Sequence, residues 1–175
     1  MKATIELALG THEVDNLFER QLTKKRLFID AIQHRVNKLI NRSNQQGMQA
    51  TAVMEQLEDK ITSLSTFFLA ETTKFKALLN QKKGFEGKSI TYALQFKRTI
   101  TLYNQSSALL AHFIECYDQL IATLKLLRLA GCFNSDMDYF YALKQYQNRA
   151  NQLLSSLLLI SKRPDRQEEL KNVSL

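Results

Sequence analysis

Residues 89–97 read Ser-Ile-Thr-Tyr-Ala-Leu-Gln-Phe-Lys. Apolar and polar side chains alternate along this stretch, and the apolar set is Ile90, Tyr92, Leu94 and Phe96. A period of two predicts a β-strand with two different faces. The backbone N–H and C=O groups of a strand must pair somewhere, so this strand needs a partner. The partner is either residues 4–9, which alternate in the same way up to Gly10, or the same strand of a second chain.

The rest of the chain is patterned for helices. Apolar residues recur at steps of three and four in the segments 12–20, 24–42, 48–80, 101–130 and 136–160. In the longest segment these positions are Met54, Leu57, Ile61, Leu64, Phe68, Phe75 and Leu78. The sequence therefore predicts a mainly α fold. It has about five helices, one of them long and amphipathic, and one or two short β-strands.

Helix ends and core positions can also be predicted. Thr99, Thr101 and Asn104 are candidate N-caps for the helix 101–130, and Gly131 is placed to end it. The polar segment 41–47 is expected to be a loop. In the last helix the expected core positions are Met137, Phe140, Tyr141, Leu153, Leu154, Leu157 and Leu158.

The composition is that of an ordinary globular chain. With 175 residues, 45% of them hydrophobic, and only one proline, we expect a single helical domain at 1–161 and a charged tail at 162–175. Two cysteines cannot form a disulfide framework. The densest apolar run, 153–160, is too short to cross a bilayer, which needs about 20 residues. We therefore expect a soluble, cytoplasmic protein with no membrane partner.

The residues that usually carry catalysis or bind metals are scattered. His12, His34 and His112 lie far apart, and Cys116 and Cys132 lack the spacing of a zinc site. Phosphate-binding glycine loops are absent from the sequence. We therefore expect no enzyme, no catalytic residue, no metal and no cofactor.

The positive charge is concentrated in two blocks. The net charge is +7, and residues 20–42 and 74–98 each hold seven Lys and Arg residues against one acidic residue. In a helix over 24–42, one face would carry Lys24, Arg35, Lys38 and Arg42. Such blocks indicate a surface that faces a polyanion, although a merely solvated basic surface remains an alternative.

The order of strand 89–97, helix 101–130 and helix 136–160 is that of the ribbon-helix-helix DNA-binding motif. In that motif two chains pair their strands, and the ribbon enters the major groove. Thr91 and Gln95 would then face bases, while Lys97 and Arg98 would contact the backbone. The predicted partners are double-stranded DNA and a second copy of the chain. The alternative is a two-stranded patch that pairs 4–9 with 90–96 inside a helical monomer.

Several stretches resemble a known family, the proteins of integrating conjugative elements and conjugative plasmids related to the transcriptional activator AcaB. The stretches are 4–18, 92–96, 109–110, Tyr117-Asp118-Gln119-Leu120 and Leu129-Ala130-Gly131. The resemblance implies a DNA-associated regulator of transfer genes with a ribbon-helix-helix-like core. The sequence departs from the family at 97–103, where the family tends to have Pro and Gly.

Two functions follow as hypotheses. The first is a DNA-binding transcriptional regulator of conjugative-element transfer genes, which reads DNA with a short β-ribbon and basic flanks. The second is a non-enzymatic helical adaptor or structural protein of a conjugative transfer system. The second hypothesis places a protein partner along residues 54–78.

Overall fold

The computed structural model describes residues 3–46, 48–88 and 92–160, without the side chains of 42–46, 48–50 and 160. The helices are α1 (His12–Glu19), α2 (Phe28–Gln46), α3 (Met48–Gln81), α4 (Gln105–Leu129) and α5 (Asp136–Ile160). The strands are β1 (Ala3–Leu9), β2 (Gln21–Thr23), β3 (Arg26–Leu27) and β4 (Phe96–Leu102). The mainly α prediction is confirmed, with five helices and one long one. The predicted tail at 162–175 lies outside the described residues.

The core lies where α3 packs along α4, closed on one side by α5. Phe68 on α3 is fully buried at its centre. Its ring centroid lies 5.7 Å from that of Phe113, 5.6 Å from that of Tyr117 and 6.2 Å from that of Tyr146. Met54, Leu57 and Ile61 of the predicted α3 stripe are also buried, whereas Leu78 is 49% exposed.

The strand partner is in the same chain. β1 and β4 form a two-stranded antiparallel sheet whose register runs from Ala3 opposite Leu102 to Leu9 opposite Phe96. Both strands contact α4. The predicted pairing of 4–9 with 90–96 has the right first strand, but the second strand begins at Phe96. The two-chain ribbon is replaced here by a ribbon that one chain makes.

β4 extends beyond the predicted end at Lys97, and a charged residue on its inward face hides this continuation from the sequence pattern. Phe96, Arg98, Ile100 and Leu102 point to the α4 side of the sheet. An arginine interrupts the apolar alternation, so the sequence pattern ends at Phe96. Upstream, the Tyr92 ring lies against Gly10, so close that a Cβ at this position would overlap it. That close approach requires a glycine and holds 92–95 beside β1.

A hairpin takes the place of the first turn of the predicted helix 24–42. β2 and β3 pair antiparallel around a turn at Lys24 and Lys25. The base closes where the Phe28 N–H donates to the Arg20 carbonyl oxygen at 2.8 Å. α2 then starts at Phe28 and continues through the polar segment from Asn41 that we expected to be a loop.

Of the predicted end signals of α4, Asn104 and Gly131 are confirmed, whereas the other N-cap candidates, Thr99 and Thr101, lie in β4. The Asn104 side chain accepts a hydrogen bond from the Ser107 N–H at 3.0 Å, and the Ser107 hydroxyl lies 3.1 Å from the Asn104 N–H. This reciprocal capping satisfies N–H groups that the first helical turn leaves unpaired. Gly131 follows α4 with a φ of 65°, as its predicted role at the helix end requires.

The predicted core face of α5 is wrong in its first turns. Met137 is 77% exposed and Tyr141 is 68% exposed. The buried positions are Tyr139, Leu143, Tyr146, Ala150, Leu153, Leu154, Leu157 and Leu158. The last four match the prediction, so the error is confined to the aromatic start of the helix.

Candidate nucleic-acid interface

A buried carboxylate ties the turn after β1 to α4. Asp118 Oδ2 accepts from the Gly10 N–H at 2.8 Å. Its Oδ1 accepts from the Thr11 N–H at 3.0 Å and from the Thr11 hydroxyl at 2.6 Å. Burial raises the pKa of Asp118, and the hydrogen bonds from Thr11 and Gly10 oppose that shift. Two of the stretches with the family resemblance, 4–18 and 117–120, therefore meet at this carboxylate.

Arg98 joins β4 to α1. Its Nε lies 2.5 Å from Asp15 Oδ1, and its Nη2 lies 2.9 Å from Asp15 Oδ2 and 2.7 Å from Glu19 Oε1. These two carboxylates raise the pKa of Arg98 above its ordinary value. Because both partners neutralise the guanidinium, Arg98 is poorly placed to bind a phosphate, the role that the sequence indicated.

The other predicted ribbon residues lie near one end of the sheet. Gln95 is exposed, and its N–H donates to the Leu9 carbonyl oxygen at 2.8 Å. The Lys97 side chain is 77% exposed and lies 3.3 Å from Glu6 Oε1. Thr91 lies outside the described residues. The outward face of the ribbon, with Lys97 beside Glu6, is close to neutral.

The predicted basic stripe of α2 is dispersed. Lys24 lies in the β2–β3 turn and not on a helix. Arg35 donates from Nη1 to the Leu158 carbonyl oxygen in the last turns of α5, where the peptide dipoles favour a cation. Lys38 is exposed on α2, and the Arg42 side chain lies outside the described residues. The structure therefore separates residues that a continuous helix would have aligned.

A more compact basic surface was missed by the sequence analysis. Arg20, Lys24, Lys25 and Arg26 are all exposed, at the base and tip of the β2–β3 hairpin. The available signal was four cationic residues within seven positions, from 20 to 26, with no acidic residue among them. We call residues 20–27 the basic hairpin.

A surface cavity of about 360 Å³ lies between α3, α4 and the segment at 92–94. Its polar lining includes Lys76, Glu115, Asp118 and Gln119. Tyr92 closes part of it, and burial together with the Asp118 charge raises the pKa of Tyr92 to about 12. The Tyr92 phenol therefore stays neutral in the physiological pH range.

The cysteine on α4 has a histidine neighbour but is poorly activated. Cys116 Sγ lies 3.5 Å from His112 Nε2. Burial raises the Cys116 pKa to about 11, so the thiol stays protonated near neutral pH and is a weak nucleophile.

Within 3–46, 48–88 and 92–160, no group of three or more His, Cys, Asp or Glu side chains could hold a metal ion. No helix in these ranges combines the length and hydropathy that spanning a membrane would take.

These elements define a five-helix protein with a single-chain antiparallel ribbon lying on α4. That architecture is shared with a solved protein, AcaB. The crystal structure of selenomethionine-containing AcaB from uropathogenic E. coli has a TM-score of 0.75 to this chain, at 18% sequence identity. The similarity covers 98% of this chain and 84% of that chain. It shows the fold. No protein-family model and no curated protein matches the sequence.

Proposed function

We propose that this protein is a DNA-binding transcriptional regulator of conjugative-element transfer genes, acting in the cytoplasm as a homodimer. The observation that carries the proposal is the similarity of the fold to AcaB over 98% of the chain. The short motifs independently resemble proteins related to that transcriptional activator. One similarity rests on a few side chains and the other on the whole backbone, and they indicate the same family.

The distribution of charge supports a polyanionic partner. Among the described residues, five cations form ion pairs, and one of them, Arg98, has two acidic partners. The paired acidic residues are Glu6, Glu13, Asp15, Glu19, Glu71 and Asp136. The net charge of +7 is therefore carried by cations outside these pairs, including the exposed Lys24, Lys25 and Lys38. A protein that neutralises DNA phosphates releases counterions, and this favours binding at low salt.

Gln95 and Lys97 remain the proposed contacts of the ribbon end. Both are exposed. The Gln95 amide is suited to a bidentate contact with adenine in the major groove. Lys97 can pivot from Glu6 to a phosphate, because an exposed ion pair contributes only about 0–1 kcal/mol.

Selection from a pool of random duplexes tests the regulatory role. We expect the full chain to enrich one sequence family, because a regulator must discriminate its site from competing DNA. Gln95→Ala should relax that preference at one position, at a cost of about 1–3 kcal/mol for the preferred base. Gln81→Ala, which removes an exposed amide at the end of α3, is the matched control. A wild-type protein that enriches no sequence would contradict regulation through a specific site.

One observation favours the adaptor function as a second candidate. Large apolar side chains are exposed at the end of α4 and at the start of α5, at Leu129, Met137, Phe140 and Tyr141. Exposed apolar patches often mark protein interfaces. Such a partner would bind here more readily than along 54–78, because Met54, Leu57, Ile61 and Phe68 of that helix are buried.

A further inference from the structure

We propose that the basic hairpin, residues 20–27, binds the phosphate backbone of double-stranded DNA. The inference rests on the proposed function and assigns its main electrostatic contact to a defined element. The hairpin lies outside the predicted strand–helix–helix segment. The sequence pattern placed Lys24 on a helix and therefore did not predict a hairpin here.

The hairpin carries four exposed cationic side chains within seven positions, with no acidic residue among them. Lys24 and Lys25 form the turn, Arg26 begins β3 and Arg20 precedes β2. The acid just before it, Glu19, lies 2.7 Å from Arg98 and shares that cation with Asp15, so the three side chains together keep one negative charge. The next acid along the chain is Asp30, in the first turn of α2, where a carboxylate is favoured by the helix N-terminus.

The hairpin contributes little to the core. All five residues of β2 and β3 are exposed, and its two leucines, Leu22 and Leu27, are 40% and 39% exposed. An isolated two-stranded hairpin is marginally stable in water, and neighbouring like charges destabilise it further. The positive charge of a hairpin that buries so little is better explained by the binding of an external anion than by a contribution to folding.

The base of the hairpin is fixed while its tip stays free. The Arg20 guanidinium lies 4.6 Å from the ring centroid of Phe28, which is almost fully buried. Arg20 Nη1 also lies 3.5 Å from Asn151 Oδ1 on α5. The Arg20 carbonyl accepts the Phe28 N–H at 2.8 Å. The three tip cations therefore extend from a base that these contacts hold in place, which lowers the entropy lost on binding.

The shape of the hairpin also fits a duplex. Paired strands are about 5 Å apart, and the major groove, about 12 Å wide, admits a two-stranded ribbon between its phosphate ridges. Lysine ammonium groups suit phosphates as compact point charges. α2 continues directly from the hairpin, and the exposed Lys38 lies about 15 Å from its start.

The test compares two triple variants of the full chain by titration with labelled duplex DNA over a range of salt concentrations. The hairpin variant is Lys24→Gln, Lys25→Gln and Arg26→Gln. The control variant, Lys60→Gln, Lys144→Gln and Arg149→Gln, removes the same charge from exposed positions outside both basic blocks. Each lost phosphate contact should lower the slope of log K against log salt by about 0.9.

We expect the hairpin variant to bind about tenfold or more weakly at about 100 mM salt, with a slope smaller by about two to three. The loss should be equal for preferred and unrelated sequences, because phosphate contacts carry no sequence information. The control should lose less than about threefold and keep most of its slope. Lys25→Gln alone, with about one third of the slope change, provides the test if the triple variant fails to fold.

The failures of the two proposals are distinguishable. If the wild-type chain shows no salt-dependent binding to duplex DNA, the proposed function fails and the inference fails with it. If the wild type binds and the hairpin variant matches the control, only the inference is overturned. A loss confined to one preferred sequence, with the slope retained, overturns the assignment to the phosphate backbone.

Discussion

Asp118→Ala is expected to lower the free energy of unfolding by about 3–5 kcal/mol. The Asp118 carboxylate accepts hydrogen bonds from the Gly10 N–H, the Thr11 N–H and the Thr11 hydroxyl, and Asp118 and Thr11 are buried. Each buried donor left without an acceptor costs about 1–3 kcal/mol. Urea denaturation followed by circular dichroism measures the loss. Asp59→Ala, an exposed carboxylate on α3, is the control, and we expect it to change stability by less than about 0.5 kcal/mol.

The pH dependence of the same site has a defined sign. Because burial raises the pKa of Asp118 above 3.8, folding favours its protonated form. The pH-dependent part of the stability from this group is fully present below pH 3.8 and is lost as the pH rises through the folded pKa, while the hydrogen bonds to Gly10 and Thr11 are a separate contribution. Relative to Asp118→Asn, which cannot titrate, the wild type should therefore gain stability as the pH falls towards about 4.

A loss below about 1 kcal/mol for Asp118→Ala would show that this carboxylate does not join β1 to α4.

Arg98→Ala is expected to destabilise the fold by about 2–4 kcal/mol. The Asp15 side chain is only 5% exposed and would lose its bidentate partner. Removing one member of a buried ion pair leaves an uncompensated charge, which is far more costly than losing an exposed pair. Lys97→Ala is the matched control, since the Lys97 side chain is 77% exposed and its pair with Glu6 contributes about 0–1 kcal/mol.

Arg98→Lys separates charge from geometry. Lysine keeps the positive charge but cannot make the parallel pair of hydrogen bonds to Asp15, so we expect it to recover about half of the lost stability. DNA affinity of the folded Arg98 variants should stay within about threefold of the wild type. If Arg98→Ala unfolds like the wild type but loses about 0.9 from its salt slope, Arg98 contacts a phosphate and does not hold α1.

Local signals were the most predictable part of the fold. The cap at Asn104 and the helix end at Gly131 depend on a few neighbouring residues; Gly131 was identified from the sequence, and Asn104 was one of three candidates. The β1 alternation was equally clear, because the buried Leu7 and Leu9 alternate with exposed neighbours.

Features that depend on distant contacts were predicted less well. The end of β4 was placed too early because the inward arginine that follows is stabilised by Asp15 and Glu19, which lie about 80 positions away. The face of α5 was misassigned because its rotation is set by tertiary packing. Tyr146 on that helix donates its hydroxyl to Glu71 Oε2 at 2.6 Å. Neither partnership has a signature in the local sequence.

In the candidate interface, too, local features were predicted and features that depend on distant contacts were not. The sequence located the first basic block, 20–42, correctly as a concentration of charge. It could not show that 20–27 turns back on itself, since Leu22 and Leu27 bury too little to create a strand pattern. The helix prediction therefore aligned Lys24 with Arg35, whose guanidinium instead binds the carbonyl end of α5.

The most direct test of the account is the affinity of the wild-type chain for a labelled mixed-sequence duplex between about 50 and 200 mM salt. We predict that log K falls linearly with log salt, with a slope of about −3 or steeper, because the three tip cations of the basic hairpin and further lysines release counterions. A flat dependence, or no binding at the lowest salt, would contradict the proposal that this protein binds DNA.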